Sequence, residues 1–295
     1  MKPIYSVVFL LFVLFITACN TGDEDENLDF NSEVDSLSNT IVKINDKLFS
    51  VPSPYQVSML LKNNKLEYNS DLLHTPNNLH RYNTTFQKAV NVGVYGCDLG
   101  YLFSYGKLYE SKDYMFAVET LAAELDLSTI FNDKLFEQLE QNQDNPDSVL
   151  FIISNVFKNA DSYLFANERS EVGALILAGG WVEGLYIITQ VSKNHATENI
   201  INRIGEQKYP LENVIAILRP FYKTRNEEFD IFLQKLIKLA QVFDGVSTEY
   251  VYKEPITDKK NHITEITSES KVLISDYQLN TIRDSVAALR KFLVQ

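Results

Sequence analysis

Of the 11 glycines in this chain of 295 residues, eight fall in two stretches that otherwise read as helix: Gly93, Gly96, Gly100 and Gly106, then Gly173, Gly179, Gly180 and Gly184. An interior glycine costs a helix about 0.5–1 kcal/mol relative to alanine, so a set this size needs a compensating gain. Close approach of two helix backbones supplies one. Gly96-x3-Gly100-x3-Ser104 and Gly180-x3-Gly184 put small residues on one stripe, a spacing best known from membrane helices. Asp98, Glu171 and Glu183 mark these as helices of a soluble fold. The spacing predicts that residues 86–109 and 170–191 cross at the centre of the body; the competing expectation is that some of the glycines clear room for a ligand.

The rest of the body also carries helical period. Ser53-Pro54 and Asn145-Pro146 each set an N-cap residue before a proline at the first helical position. Ser275 and Gln278 form a capping box, after which Leu279, Ile282, Val286 and Leu289 recur at helical spacing. The same period runs through Met115, Val118, Leu121, Ala122 and Leu125, and through Val149, Ile152, Ile153, Val156, Phe157 and Ala160. A further pattern from about Asn226 stops at Gly245, a plausible residue just past a helix end. About nine helices result. Alternation over Ser247–Lys253 predicts a strand, with Ile263–Ser268 returning across Asp258-Lys259-Lys260-Asn261. The fold class expected is all-α: a compact multi-helix bundle or short solenoid-like stack, with one small β-hairpin near the C-terminus. No linker interrupts residues 40–295, which read as a single helical domain.

The first 18 residues are an address rather than part of that domain. Lys2, the apolar run Ile4–Ile16 and the small pair Thr17-Ala18 make a secretory signal peptide, too short to span hydrocarbon as a helix of about 20 residues. Ile16-Thr17-Ala18-Cys19 resembles the bacterial lipobox, which implies that Cys19 becomes the lipidated first residue of the mature chain, bearing palmitate-type acyl chains. More than one acyl chain gives stable membrane residence. Asn20 resembles the residue of lipoproteins forwarded to an outer membrane. Asp23-Glu24-Asp25-Glu26 resembles the acidic export signal of surface lipoproteins in Bacteroidota, although the same four residues also serve as a plain solvated tether.

Charge locates the tether. Of the formal net charge of -12, Lys2 is the only charged residue lost with the leader, leaving 39 acidic against 26 basic residues. Seven of those acids lie within residues 20–35, where there is no Lys or Arg, so the remainder holds 32 against 26. Low hydrophobicity with one-signed charge cannot offset the entropy of ordering. Residues 19–39 are therefore expected as a flexible acidic tether, holding the body on the order of 20 Å from the lipid.

Composition excludes several classes. With 45% hydrophobic residues and 2 Cys, the chain is neither disordered throughout nor a disulfide scaffold, and a pI near 4.9 leaves no excess of cations for nucleic acid. His74, His80, His195 and His262 are scattered and show no metal-binding spacing, and neither a nucleophile elbow nor a phosphate loop is present, so no metal, cofactor or catalytic set is expected. His74 and His80 read as surface residues of a loop. Cys97 reads as a small apolar filler.

One polar constellation stands out. Asp98, Tyr101 and Tyr105 fall at i, i+3 and i+7 on one helical face, with Tyr95 on its flank, and Glu183 sits beside Trp181 in the second glycine-rich segment. If Asp98 and Glu183 converge in a cavity with Tyr101 and Tyr105, they form a pocket for a cation or polar ligand, or an acid/base pair. The bland counterpart is a pair of buried carboxylates hydrogen-bonded for structure.

Val51-Pro-Ser-Pro-Tyr55, Tyr82-Asn-Thr-Thr-Phe86 and Asn91-Val-Gly-Val-Tyr-Gly-Cys-Asp-Leu-Gly-Tyr101 resemble uncharacterised helical lipoproteins of Bacteroidota, over about a fifth of the chain. The resemblance implies an exported, all-helical lipoprotein and supplies no activity; Cys97 stands where it implies a small residue such as Ala. The expected role is an outer-membrane-anchored lipoprotein on the periplasmic or cell-surface face, a binding or scaffold module with the membrane and an outer-membrane protein as partners. The alternative is a small-ligand receptor or hydrolase-type enzyme using the Asp98, Tyr101, Tyr105 and Glu183 region.

Overall fold

Short capping signals divide the chain into helices at the places the side chains specify. The computed structural model describes residues 39–295 apart from 45, 46, 53, 225, 259–262 and 266. The expected signal peptide, Cys19, nearly all of the expected acidic tether, Ser53 and His262 lie outside the described residues. A two-stranded ladder comes first, β1 (Asn39–Ile44) antiparallel to β2 (Lys47–Pro52). The α-helices that follow are α1 (Pro54–Asn63), α2 (Thr85–Ser104), α3 (Leu108–Ala123), α4 (Asp133–Gln141), α5 (Pro146–Ala166), α6 (Ser170–Val191), α7 (Glu198–Gly205), α8 (Lys208–Leu218) and α9 (Glu227–Phe243). Strands β3 (Ser247–Val251), β4 (Ile256–Asp258), β5 (Ile263–Glu265) and β6 (Glu269–Leu273) lead into α10 (Asp276–Leu293). The fold is mostly helical, with small two-stranded sheets.

The caps work as the sequence predicts. Asn145 accepts from the Ser148 amide at the start of α5, and Ser275 with Gln278 closes a reciprocal box on α10. Thr84 and Gln87 make a second box on α2. That end is tied to α9, where Glu228 accepts from the Thr84 hydroxyl at 2.8 Å and from the Gln87 amide at 2.9 Å. Gly106 at φ +65° is the left-handed residue that ends α2; its amide reaches Phe103 O and that of Lys107 reaches Leu102 O, satisfying two terminal carbonyls.

Helix α6 is the centre of the core. It is the one helix among the described residues long and apolar enough to cross a membrane, with mean hydropathy 1.6, yet 89% of that window is buried inside the fold. Its broadest neighbour is α2, and α10, α1, α5, α8 and α7 complete its surround. The two glycine-rich segments thus lie against each other. Gly93 and Gly179 stand at close contacts of the two backbones, and Gly180 of the expected stripe joins them, its N 2.6 Å from where a Cβ on Gly93 would lie. A Cβ on Gly93 would overlap Ile176 O, and one on Gly179 would overlap Val90 O. Gly96, three residues on, is rotated about 60° from Gly93 and meets open space.

Two expectations about strands change. The partner of β3 is β6, with Ser247 opposite Leu273 and Val251 opposite Glu269, while Ile263–Glu265 pairs with Ile256–Asp258. The returning segment therefore contributes to an extended two-part ribbon, in which Tyr250, Tyr252, Ile256 and Ile263 are exposed. The β1–β2 ladder occupies residues that helical periodicity leaves unassigned, and β1 begins at Asn39, within the segment expected as tether.

Candidate functional site

The polar face of α2 straps down an irregular stretch of chain. Between α1 and α2 the backbone runs through two short 3-10 turns, Ser70–Leu72 and Pro76–Arg81. Tyr95 donates its hydroxyl to Thr75 O at 3.0 Å, and Asp98 Oδ2 accepts from the His74 amide at 3.0 Å. One turn on, the Tyr101 hydroxyl accepts from the Asn69 amide at 3.1 Å, and Tyr105 donates to Leu66 O at 3.0 Å. As the partner numbers fall, the helix numbers rise, so the stretch 66–75 runs antiparallel along α2. The i, i+3, i+7 spacing that marks these residues in the sequence is the spacing of the strap.

The structure divides the four expected pocket residues into two groups. Tyr101 and Tyr105 pack on each other with ring centroids 4.9 Å apart and on Tyr68 at 5.7 and 5.9 Å. Tyr68 in turn donates to Glu110, with the Lys107 ammonium 4.6 Å from the Tyr68 ring centroid. Asp98 and Glu183 do come together, both fully buried, but with a partner the sequence did not indicate. Arg290, in the last turn of α10, places Nε 3.0 Å from Glu183 Oε2 and its second donor, Nη2, 3.0 Å from Oε1. The guanidinium also stands over the Tyr186 ring, 4.7 Å from its centroid.

Proton placement follows from contact. Asp98 Oδ1 has no ordinary donor, and the Asp98 and Glu183 side chains hydrogen-bond to each other, which two carboxylates can do only if one keeps its proton. Burial first, and the negative charge of Glu183 second, push the Asp98 carboxyl well above the ordinary aspartate range. Burial also raises Glu183, but the Arg290 charge, the Arg290 fork and the Asp98 hydrogen bond all oppose that rise. The triad is thus neutral Asp98 donating to an ionised Glu183 held by Arg290. Its net charge is zero, the condition under which ionised groups tolerate burial.

His74 is the other buried titratable group, contrary to the loop-surface position expected for it. Its Nε2 lies 2.7 Å from the Tyr82 hydroxyl and its ring stacks on Tyr95 at 5.3 Å. Burial, with the charges of Arg290 and Arg81 adding to it, pushes the ring down to about 3, so it is neutral and accepts from Tyr82. His80 and His195 are exposed and distant in sequence from any partner set, and no cluster of three or more metal-binding side chains exists among the described residues. Residues missed by sequence reading are Arg290, His74 and Tyr82. Arg290 carried one usable signal, since it stands four residues after Val286 and so lies on the apolar face of its helix.

A separate pocket lies on the far side of the glycine residues of α2. It has a volume of about 70 Å³, is partly open to solvent, and is lined by Gly93, Gly96 and Gly100 of α2 with Phe136 of α4 and Ile153 and Val156 of α5 among others. Cys97 faces it; burial raises its thiol well above the ordinary value, as the filler reading requires.

No protein-family model, curated protein or solved structure matches this chain.

Proposed function

We propose that this chain is a lipid-anchored, extracytoplasmic binding or scaffold module of a bacterial outer membrane, held by acyl chains on Cys19, and not an enzyme. The observation that carries the non-catalytic half is the enclosure of Asp98 and Glu183: both are 0% exposed and spend their hydrogen bonds on the His74 amide, Arg290 and each other. A reacting group needs a substrate within hydrogen-bond reach, and these carboxyls face protein on every side that their bonds define. Tyr101 and Tyr105 are committed to the backbone of residues 66–69 in the same way. The lipobox at Ile16–Cys19, the acidic cluster Asp23–Glu26 and the resemblance to Bacteroidota lipoproteins support the anchored, exported half.

Fractionation of cells producing Cys19→Ala tests the anchor: the variant should leave the membrane pellet, and retention equal to the parent would sink the lipobox reading. Surface display is tested by replacing Asp23–Glu26 with alanine, which should remove sensitivity to protease added to intact cells. A protein partner in the outer membrane belongs to the same proposal and should co-purify with the lipidated chain after crosslinking.

The receptor form of this reading is favoured by one observation of its own, the apolar pocket beside Gly96, which lies apart from the carboxyl triad.

A further inference from the structure

From Ala89 to Ser104 every residue of α2 is buried except Gly96, which is exposed in the middle of a core helix. A Cβ placed there would meet nothing within 4 Å. The opening is the pocket between α2, α4 and α5, and its walls are hydrocarbon: Phe103, Phe131, Leu135, Phe136, Ile153 and Val156 are among them, and no lining side chain is charged or carries an amide or hydroxyl. The Cys97 thiol is the sole heteroatom on a lining side chain, and burial keeps it protonated.

We propose that this pocket binds the hydrocarbon chain of an externally supplied fatty acid or lipid. Three features favour that chemistry. Polar groups of a ligand would find no side-chain partner inside, so only its apolar part can enter without an unmet desolvation cost. Gly93, Gly96 and Gly100 present bare backbone, and the step from Gly96 to Gly100 runs about 6 Å along the helix axis, giving a trough rather than a round cavity. The cavity volume, about 70 Å³, exceeds the roughly 10–15 Å³ that one water needs, so the trough has room for a narrow chain. Water in such a trough touches apolar walls that a hydrocarbon would cover, which is the driving force for entry. The glycines thus divide their labour: Gly93 and Gly179 admit the helix crossing, and Gly96 admits the ligand.

This deepens the binding reading above and rests on it, while remaining independent of the anchor. The full chain carrying Cys19→Ala, which bears no acyl group of its own, is titrated with cis-parinaric acid, a linear fatty acid whose emission rises in apolar surroundings. Saturable uptake of one probe per chain is expected, reversed by palmitate and unaffected by glucose. Gly96→Leu starts from a Cβ position with no neighbour within 4 Å and extends into the pocket, and should weaken uptake at least about tenfold, as expected for excluding a few methylenes. Val156→Phe on the opposite wall gives an independent block if Gly96→Leu is poorly folded. Absence of saturable uptake, or unchanged affinity in a folded Gly96→Leu or Val156→Phe chain, overturns the proposal. So does uptake by Cys19→Ala but not by the lipidated parent freed of detergent, because the pocket would then hold the chain's own acyl group. Probe binding by a Cys19→Ala chain that stays in the membrane pellet would defeat the anchor and leave the pocket standing.

Discussion

Arg290, one turn from the end of the last helix, grips both oxygens of Glu183 in the middle of α6 across 107 residues of sequence, with donor distances of 3.0 Å. Glu183 is fully buried and the Arg290 side chain is 14% exposed, so the ion pair is a clasp inside the core. It docks α10 on the central helix, and Asn91 on α2 reinforces that docking by donating to Leu293 O at 2.9 Å. Three helices are thereby joined through polar groups whose partners are specific in direction, which apolar packing alone does not provide.

Removing one side of this clasp leaves a buried charge. Arg290→Met is expected to destabilise the fold by about 3–5 kcal/mol, whereas adding Glu183→Met in the same chain should recover most of that loss. Urea denaturation of the two variants decides it: a double variant no more stable than Arg290→Met would contradict the clasp.

The proton on Asp98 gives the fold a pH dependence of definite sign. A carboxyl raised in the folded state binds its proton there more tightly than in the unfolded chain, so its stabilisation is complete below the ordinary aspartate value and is lost as pH rises toward the folded value. Asp98→Asn keeps the shape, with its amide donating to Glu183 and its carbonyl accepting from the His74 amide. Its stability relative to the parent should grow as pH rises from about 4, with a slope of up to about 1.4 kcal/mol per pH unit. Parallel stability profiles of parent and variant from pH 4.5 to 8 would show that Asp98 is ionised in the fold.

His74 acts on the acid side with the opposite sense. Its ring is held neutral down to about 3, so its contribution is complete above the ordinary histidine value near 6.5 and falls away as pH drops below it. His74→Phe should lower stability at pH 7 by about 1 kcal/mol through the lost Tyr82 hydrogen bond, yet soften the decline between pH 6 and pH 4. Thermal melts at those three pH values test both halves, and an acid decline as steep as the parent's would remove His74 from the account.

Two glycines of the same helix should respond in opposite directions. Gly93→Ala drives a methyl into the backbone of α6 and is expected to cost about 1–3 kcal/mol, as overpacking does. Gly96→Ala meets nothing and should gain about 0.5–1 kcal/mol from helix propensity. Melting temperatures that shift the same way in both variants would disprove the division between crossing and pocket.

Most helices are visible in the sequence because their signals are local. The box Ser275–Gln278 and the cap at Asn145-Pro146 act within four residues, and the stripe Leu279, Ile282, Val286 and Leu289 is set by helical period alone. The meeting of the two glycine-rich segments is also visible, because so many helical glycines need a reason. Which glycines touch is not visible: Gly93 and Gly96 differ only in rotation about the helix axis, and that rotation is set by how α6 docks. The ribbon was half legible, since alternation marks strands but register depends on which partner is in reach.

The sequence by itself determined the helical class and the fact that Asp98, Tyr101 and Tyr105 share one face. Those are properties of neighbours along the chain. Tertiary structure alone decided what that face does, because Asp98 is defined by His74, Glu183 and Arg290, and Tyr101 and Tyr105 by the backbone at Asn69 and Leu66. A buried carboxyl takes its charge from whatever surrounds it, and no residue within a helical turn of Asp98 supplies the Glu183 charge that, after burial, keeps this one protonated.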